Sequence, residues 1–241
     1  MIRHPCDDNC SLVGMKRKCT EVWSRNDCKG PWRQNGRIVA QAGTEVWHTC
    51  DAQGNCAYIY KHMTHVDEAD VLREMKMQEL ATNAGLAPAI IQVLISKGSD
   101  EEDDGDGEGD EAVIIMEAMD VTMSDAIDSL LTEGEGGIHH HQNDIRDNIY
   151  DMALQARALL DKLHTLGVYH GDAHTGNFML RGERWYLIDF GQTRELIEGL
   201  EDIFKARDLE RICDYLLIHR HQHKDVYSPS FITAVKAIFY E

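Results

Sequence analysis

The chain has 241 residues, room for one large domain or two small lobes, and its 43% hydrophobic content is enough to bury a core. A formal net charge of −18 argues against strong nucleic-acid binding by this chain alone. No apolar run reaches the length of a membrane-spanning helix, so no membrane partner is expected.

Residues 1–37 are polar and carry Cys6, Cys10, Cys19 and Cys28, with His4 nearby. Zinc would want four thiolates or imidazoles in tetrahedral array. These spacings lack tight C-x-x-C pairs, so free thiols are the default expectation. The opening Met-Ile-Arg-His-Pro-Cys has no apolar signal region. A reducing intracellular setting, cytoplasmic or nuclear, is therefore expected.

A strand pattern begins at Ile38. Residues 45–50 and 56–61 flank Asp51-Ala-Gln-Gly-Asn55, which predicts a hairpin with a glycine-bearing turn. Cys50 and Cys56 flank that turn. A cross-strand disulfide there would conflict with a reducing compartment. A helix follows, with Asp67 as N-cap and Val71, Leu72, Met75 and Leu80 at helical spacing. It stops at Asn83-Ala-Gly85, before Pro88.

Two strands come next, at 90–96 and 112–116. Between them, Asp100 to Glu111 holds nine acidic residues and three glycines, half the net charge. That composition reads as a disordered loop over 98–111, solvated rather than a docking tail. Glu117 to Met119 joins the two halves, and 121–131 reads as a helix. The glycines of 133–137 and the His139-His-His141 run predict a second mobile loop, 132–143. A long helix then spans about 144–166, with Ile145, Ile149, Met152, Ala156, Leu159, Leu163 and Leu166 as its buried stripe. Gly167 ends it. A short strand leads to His170, and helices at 202–219 and 230–240 close the chain.

The chemistry lies in His170-Gly-Asp172-Ala-His174-Thr-Gly176-Asn177, followed by Ile188-Asp189-Phe190-Gly191. The first piece is H-x-D-x-x-x-x-N. Its Asp can accept the proton of an attacking hydroxyl, and its Asn can hold a metal ion. The second is D-F-G, whose Asp can hold the Mg²⁺ that bridges nucleotide phosphates. Amide and carboxylate oxygens are hard ligands that suit Mg²⁺. An apolar strand, Trp185 to Ile188, leads into the second motif and gives it the right context.

These motifs resemble the protein-kinase-like superfamily. The resemblance covers roughly 38–241 and implies an α+β, bilobal fold: a strand-rich N-lobe over 38–119 and a reduced helical C-lobe over 120–241, behind a Cys-containing extension over 1–37. It implies ATP and Mg²⁺ as cofactors, Asp172 as base, and Asn177 and Asp189 as metal ligands. Lys61, ending the second hairpin strand, would reach the nucleotide phosphates. Glu74 and Glu79 compete to orient it, with Glu68 a weaker third, and Glu74 is preferred because it lies mid-helix among apolar neighbours. Gly43, Thr44 and Glu45 stand where the phosphate-covering loop would lie, and Glu117 and Met119 where the lobe connection would meet the nucleotide.

Several departures narrow the subfamily. Gly171 replaces the Arg of typical protein kinases, so control by a phosphorylated activation loop is not expected. No A-P-E motif follows Asp189. His174 makes H-G-D-x-H-x-G-N look like aminoglycoside and choline phosphotransferases, with either a supporting role at the acceptor or a loop-packing role. The loop Gln41-Ala-Gly43-Thr-Glu45 and the stretch around Asp208 are similar to the compact kinase/ATPase subunit of the KEOPS tRNA-modification complex and to Rio kinases. In that family the counterpart of Asp208 supports the catalytic loop. The chain's acidic balance and its Phe-Tyr-Glu ending, where the KEOPS subunit has a basic tail, argue against tRNA contact. The leading expectation is an atypical Ser/Thr protein kinase or ATPase with a protein substrate or partner subunit. A small-molecule phosphotransferase and a nucleotide-binding scaffold without turnover stand behind it.

Overall fold

A computed structural model of the chain describes residues 4–5, 20–24, 33–41, 43–50, 54, 57–96, 110–133 and 140–240. The acidic run 100–109, the turn residues 51–53 and 55, and Cys6, Cys10, Cys19, Cys28 and Cys56 lie outside the described residues, and with them the zinc expectation. The fold is α+β and forms two compact units: Met1–Glu79 with Pro88–Ala118, and Leu80–Ala87 with Met119–Glu241.

The first unit is an antiparallel sheet with one helix against it. Its strands are β1 (His4–Pro5), β2 (Thr20–Ser24), β3 (Arg33–Gln41), β4 (Thr44–Cys50), β5 (Tyr58–Thr64), β6 (Ile90–Ser96) and β7 (Glu111–Glu117). They run in the order β1-β2-β6-β7-β5-β4-β3. The sheet takes in Thr20–Ser24, part of the expected N-terminal extension, which pairs with β6. Alternation along the strands sorts the side chains onto two faces. Met63, Ala112, Ile114 and Met116 face helix α1 (Glu68–Asn83), meeting Val71 and Met75. Tyr58, Tyr60, Val113 and Ile115 form a separate cluster with Leu94. Lys61 shares the parity of Met63, which puts it on the α1 side. Asp67 begins the helix, its Oδ1 accepting the Ala69 N–H at 2.7 Å.

Cys50 closes β4, is buried, and is disulfide-bonded. This corrects the expectation of free thiols throughout; its partner lies outside the described residues.

The second unit holds β8 (Val121–Thr122), α2 (Met123–Glu133), α3 (His140–Thr165), β9 (Val168–Tyr169), β10 (Phe178–Arg181), β11 (Arg184–Leu187), β12 (Arg194–Glu195), α4 (Glu201–Leu216) and α5 (Pro229–Tyr240). Val121 and Thr122 were expected to be helical. They pair with Leu180 and Met179 of β10 instead. The reason is a cap: Thr122 Oγ1 accepts the Asp125 N–H at 3.0 Å and donates to the Asp125 carboxylate at 2.6 Å. Helix α3 begins at His140, earlier than the expected Asp144, and Gln142 donates to Asp225 at 3.0 Å in that added turn. Helix α4 stops at Leu216, short of the expected His219, where Tyr227 donates to the Leu216 carbonyl at 3.1 Å.

The stripe of α3 is buried as its periodicity predicts, save Leu166, which follows the helix and is half-buried. Antiparallel β9 and β12 place Tyr169 opposite Arg194. That short ladder sets the segment after β9 beside the segment before β12. Among the described residues, no helix is long and apolar enough to cross a membrane.

Candidate active site

The turn after β9 is held from below by one carboxylate. Asp208, on α4 and 2% exposed, accepts the His170 N–H at 2.7 Å and the Gly171 N–H at 2.9 Å. His164, in the last turn of α3, meets the same carboxylate at 2.9 Å. A buried charge is tolerated only when it is paired and hydrogen-bonded, as here. Thr193 adds a bond from its Oγ1 to the His170 carbonyl at 3.1 Å.

His170 is fully buried. Its Nε2 donates to the Ile188 carbonyl at 3.0 Å, and its Nδ1 accepts the Asp172 N–H at 3.3 Å. Both ring nitrogens are thus used by the neutral form. Burial pushes the imidazole below its ordinary value of 6.5, against the raising influence of Asp208, the Ile188 carbonyl, Asp189 and Asp172.

Gly171 adopts φ +80°, and a Cβ there would come 2.5 Å from the Gln192 carbonyl oxygen. The Arg of typical protein kinases cannot occupy this backbone.

Asp172 is half-buried. Its Oδ1 forms an ion pair with Arg211 of α4, without hydrogen-bond alignment. Its Oδ2 lies 3.7 Å from His174 Nε2. His174 caps the 3₁₀ turn Thr175–Asn177, its Nδ1 accepting the Gly176 N–H at 3.1 Å, and its ring sits 5.2 Å from Tyr215. The sequence left a loop-packing and a site role open for His174; its two nitrogens face one of each.

Asn177 donates its amide to the Asp172 carbonyl at 2.9 Å, so its side-chain oxygen points away from that bond. The Ile188 N–H bonds to the Asn177 carbonyl at 3.0 Å, which brings Asp189 beside Asn177. Asp189 is exposed and left-handed, with φ 61° and ψ 76°. Asp is among the few non-glycine residues found there. Phe190, next in the chain, is fully buried against His170, with ring centroids 5.4 Å apart.

In the first unit, Lys61 Nζ meets Glu74 Oε1 at 2.7 Å, and Glu74 is 7% exposed. Glu79, its rival in the sequence, is half-buried further along α1. Gly43 turns the chain between β3 and β4 with φ +77°, and its carbonyl accepts the Thr64 N–H at 2.8 Å. Thr44 and Glu45 open β4 opposite Met63 and His62. Glu117 ends β7, its carboxylate accepting the Ala89 N–H at 3.0 Å. Met119, in the second unit, is buried.

A match to the lipopolysaccharide kinase (Kdo/WaaP) family covers residues 32–228. The chain belongs to that family. Members are kinase-type phosphotransferases, and membership of this kinase-like family implies use of ATP. Two solved kinase domains share the fold. "Crystal structure of BubR1 kinase domain" aligns with a TM-score of 0.59 at 13% identity, covering 88% of this chain and 68% of that one. "ROP18 kinase domain in complex with AMP-PNP and sucrose" aligns at 0.52 and 19%, covering 68% and 52%. A short stretch of this Kdo/WaaP-family chain, 41 residues, is 58% identical to the "Probable bifunctional tRNA threonylcarbamoyladenosine biosynthesis protein" of Methanosarcina barkeri (strain Fusaro / DSM 804). The stretch is 17% of this chain and only 8% of that relative. The counterpart in Methanosarcina mazei matches over 33 residues at 61% identity, 14% of this chain and 6% of the relative.

Sequence reasoning did not find Arg211, His164 or Thr193. Arg211 follows Asp208 by three positions and so shares its helix face, a spacing that points to it. His164 and Thr193 carry no such local signal; only the tertiary fold brings them to the turn.

Proposed function

We propose that the chain is a compact, atypical kinase that passes the γ-phosphoryl of ATP to an alcohol. In the first reading the acceptor is a Ser or Thr hydroxyl of a protein. The observation that carries the kinase proposal is the Asp172 turn. Asp208 fixes its two preceding amides, and Asn177 anchors its carbonyl, so the carboxylate of Asp172 is presented on a rigid loop.

Asp172 takes the acceptor proton as the acceptor oxygen bonds the γ-phosphorus. The bond from that phosphorus to the β–γ bridging oxygen breaks, and ADP departs. Lys61, steadied by Glu74, supplies the phosphate-binding cation of its unit. The second unit fits Mg²⁺ by donor chemistry: Asn177, its amide nitrogen spent on the Asp172 carbonyl, keeps an amide oxygen as a hard ligand, and Asp189, exposed, adds a carboxylate. Mg²⁺ characteristically takes only one or two protein oxygens, with waters and phosphates completing its shell. When bound, it neutralises phosphate charge.

A second reading, a small-molecule acceptor, is favoured by a cavity of about 580 Å³ that borders Gly171 and Arg211. The test is transfer from γ-labelled ATP by the purified chain, with Mg²⁺ or chelator, to a generic protein, to small alcohols, or to water. Label on protein supports the first reading, and label on a small alcohol the second. Free phosphate alone makes the chain an ATPase. No Mg²⁺-dependent transfer of any kind overturns the proposal.

A further inference from the structure

Arg211 does two things at once. Its guanidinium pairs with the Asp172 carboxylate, and it lines the cavity of about 580 Å³ on the other side. While the guanidinium covers Oδ1, an acceptor hydroxyl does not reach that oxygen. The Arg211 side chain is 45% exposed, so it is free to turn to another anion, while the Asp172 Oδ1 beneath it is buried.

The cavity is built to offer one. Arg194, Arg207 and Arg211 line it. Three acids, Asp208, Glu210 and Asp214, line it as well; Asp208 is turned to His164 and two backbone amides, and Arg194 donates to the Gly191 and Thr193 carbonyls, which leaves Arg207 and Arg211 to meet a ligand. One wall is the stacked pair Tyr169 and Phe204, 4.4 Å apart and 15° from parallel, with Arg207 lying 5.8 Å over Phe204. The volume falls in the range of small-molecule sites. Arginine's planar fork matches phosphate oxygens two at a time.

We propose that this cavity is an acceptor subsite for an alcohol that also carries a phosphate monoester, and that Arg211 exchanges Asp172 for that phosphate. Occupying the subsite frees Asp172 to take the hydroxyl proton. Arg211 is thereby a specificity-determining residue. The acceptor role rests on the kinase reading above; the anion site and the competition between Asp172 and ligand do not.

Calorimetric titration of the full chain tests it, without ATP or metal. The probes are inorganic phosphate, glycerol 3-phosphate and glycerol, and the proteins are wild type, Arg211→Gln, Arg207→Gln and Asp172→Asn. Both phosphates are expected to bind wild type, and glycerol not at all. Arg211→Gln weakens phosphate binding roughly tenfold through loss of a charge-assisted pair. Asp172→Asn strengthens it about two- to fivefold, because the competing carboxylate charge is gone. Thermal melts check folding, and Arg207→Gln reports on the same cavity should Arg211→Gln be unstable. Equal affinity in wild type and Asp172→Asn overturns the proposal, as does phosphate binding indifferent to both arginines, or none. If the titrations follow the prediction but no ATP is turned over, the kinase reading falls and the anion site stands.

Discussion

A Cβ at Gly171 would sit 2.5 Å from the carbonyl oxygen of Gln192. The approach follows from the β9–β12 ladder, which lays the two segments side by side. Gly171→Ala therefore meets both a backbone clash and a left-handed conformation that itself costs about 1–3 kcal/mol in a non-glycine residue. The variant should melt several degrees lower, and if folded should lose transfer activity through displacement of Asp172. Denaturant unfolding and a turnover assay check both.

Asp208→Ala should be among the most damaging single changes. It strips partners from His164 and from the amides of His170 and Gly171. Each buried group left unsatisfied costs about 1–3 kcal/mol. An equal loss of stability without loss of turnover in the surviving folded fraction would separate a scaffold role from support of Asp172.

Much of this was legible because it is local. H-x-D-x-x-x-x-N and D-F-G are short and ordered. The α1 and α3 stripes repeat at helical spacing, and β5 to β7 alternate or run apolar. Glu74 was preferred over Glu79 on its apolar neighbours alone, and it is Glu74 that meets Lys61. What was hidden depends on distant pairing. Val121 and Thr122 join a strand because β10 accepts them, and Thr122 then caps α2. Arg211 reaches Asp172 only because α4 packs against the Asp172 turn. A disulfide at Cys50 is disfavoured by the compartment argument, yet Cys50 is disulfide-bonded.

His170 makes stability depend on pH. Burial holds its folded value below 6.5, so the unfolded chain binds the extra proton first. Its contribution is complete above about pH 6.5 and is lost progressively as pH falls below that value. Chemical denaturation at stepped pH should show stability falling on acidification, with a shallower slope in His170→Asn. An unchanged slope in the variant would remove His170 as the cause.

Lys61 and Glu74 should act as a unit. With the pair at 2.7 Å and both side chains largely buried, Lys61→Met and Glu74→Gln are expected to be non-additive in ATP affinity, the double variant little worse than Lys61→Met alone. A double-mutant cycle on nucleotide binding measures this. Strict additivity would make Glu74 a stability residue only.

The most direct measurement is turnover by Asp172→Asn beside wild type, with ATP affinity measured on both. If Asp172 accepts the hydroxyl proton, kcat falls about 10²- to 10⁴-fold while ATP binding stays within a few-fold of wild type. Undiminished turnover in Asp172→Asn would contradict the assignment of this turn as the catalytic centre.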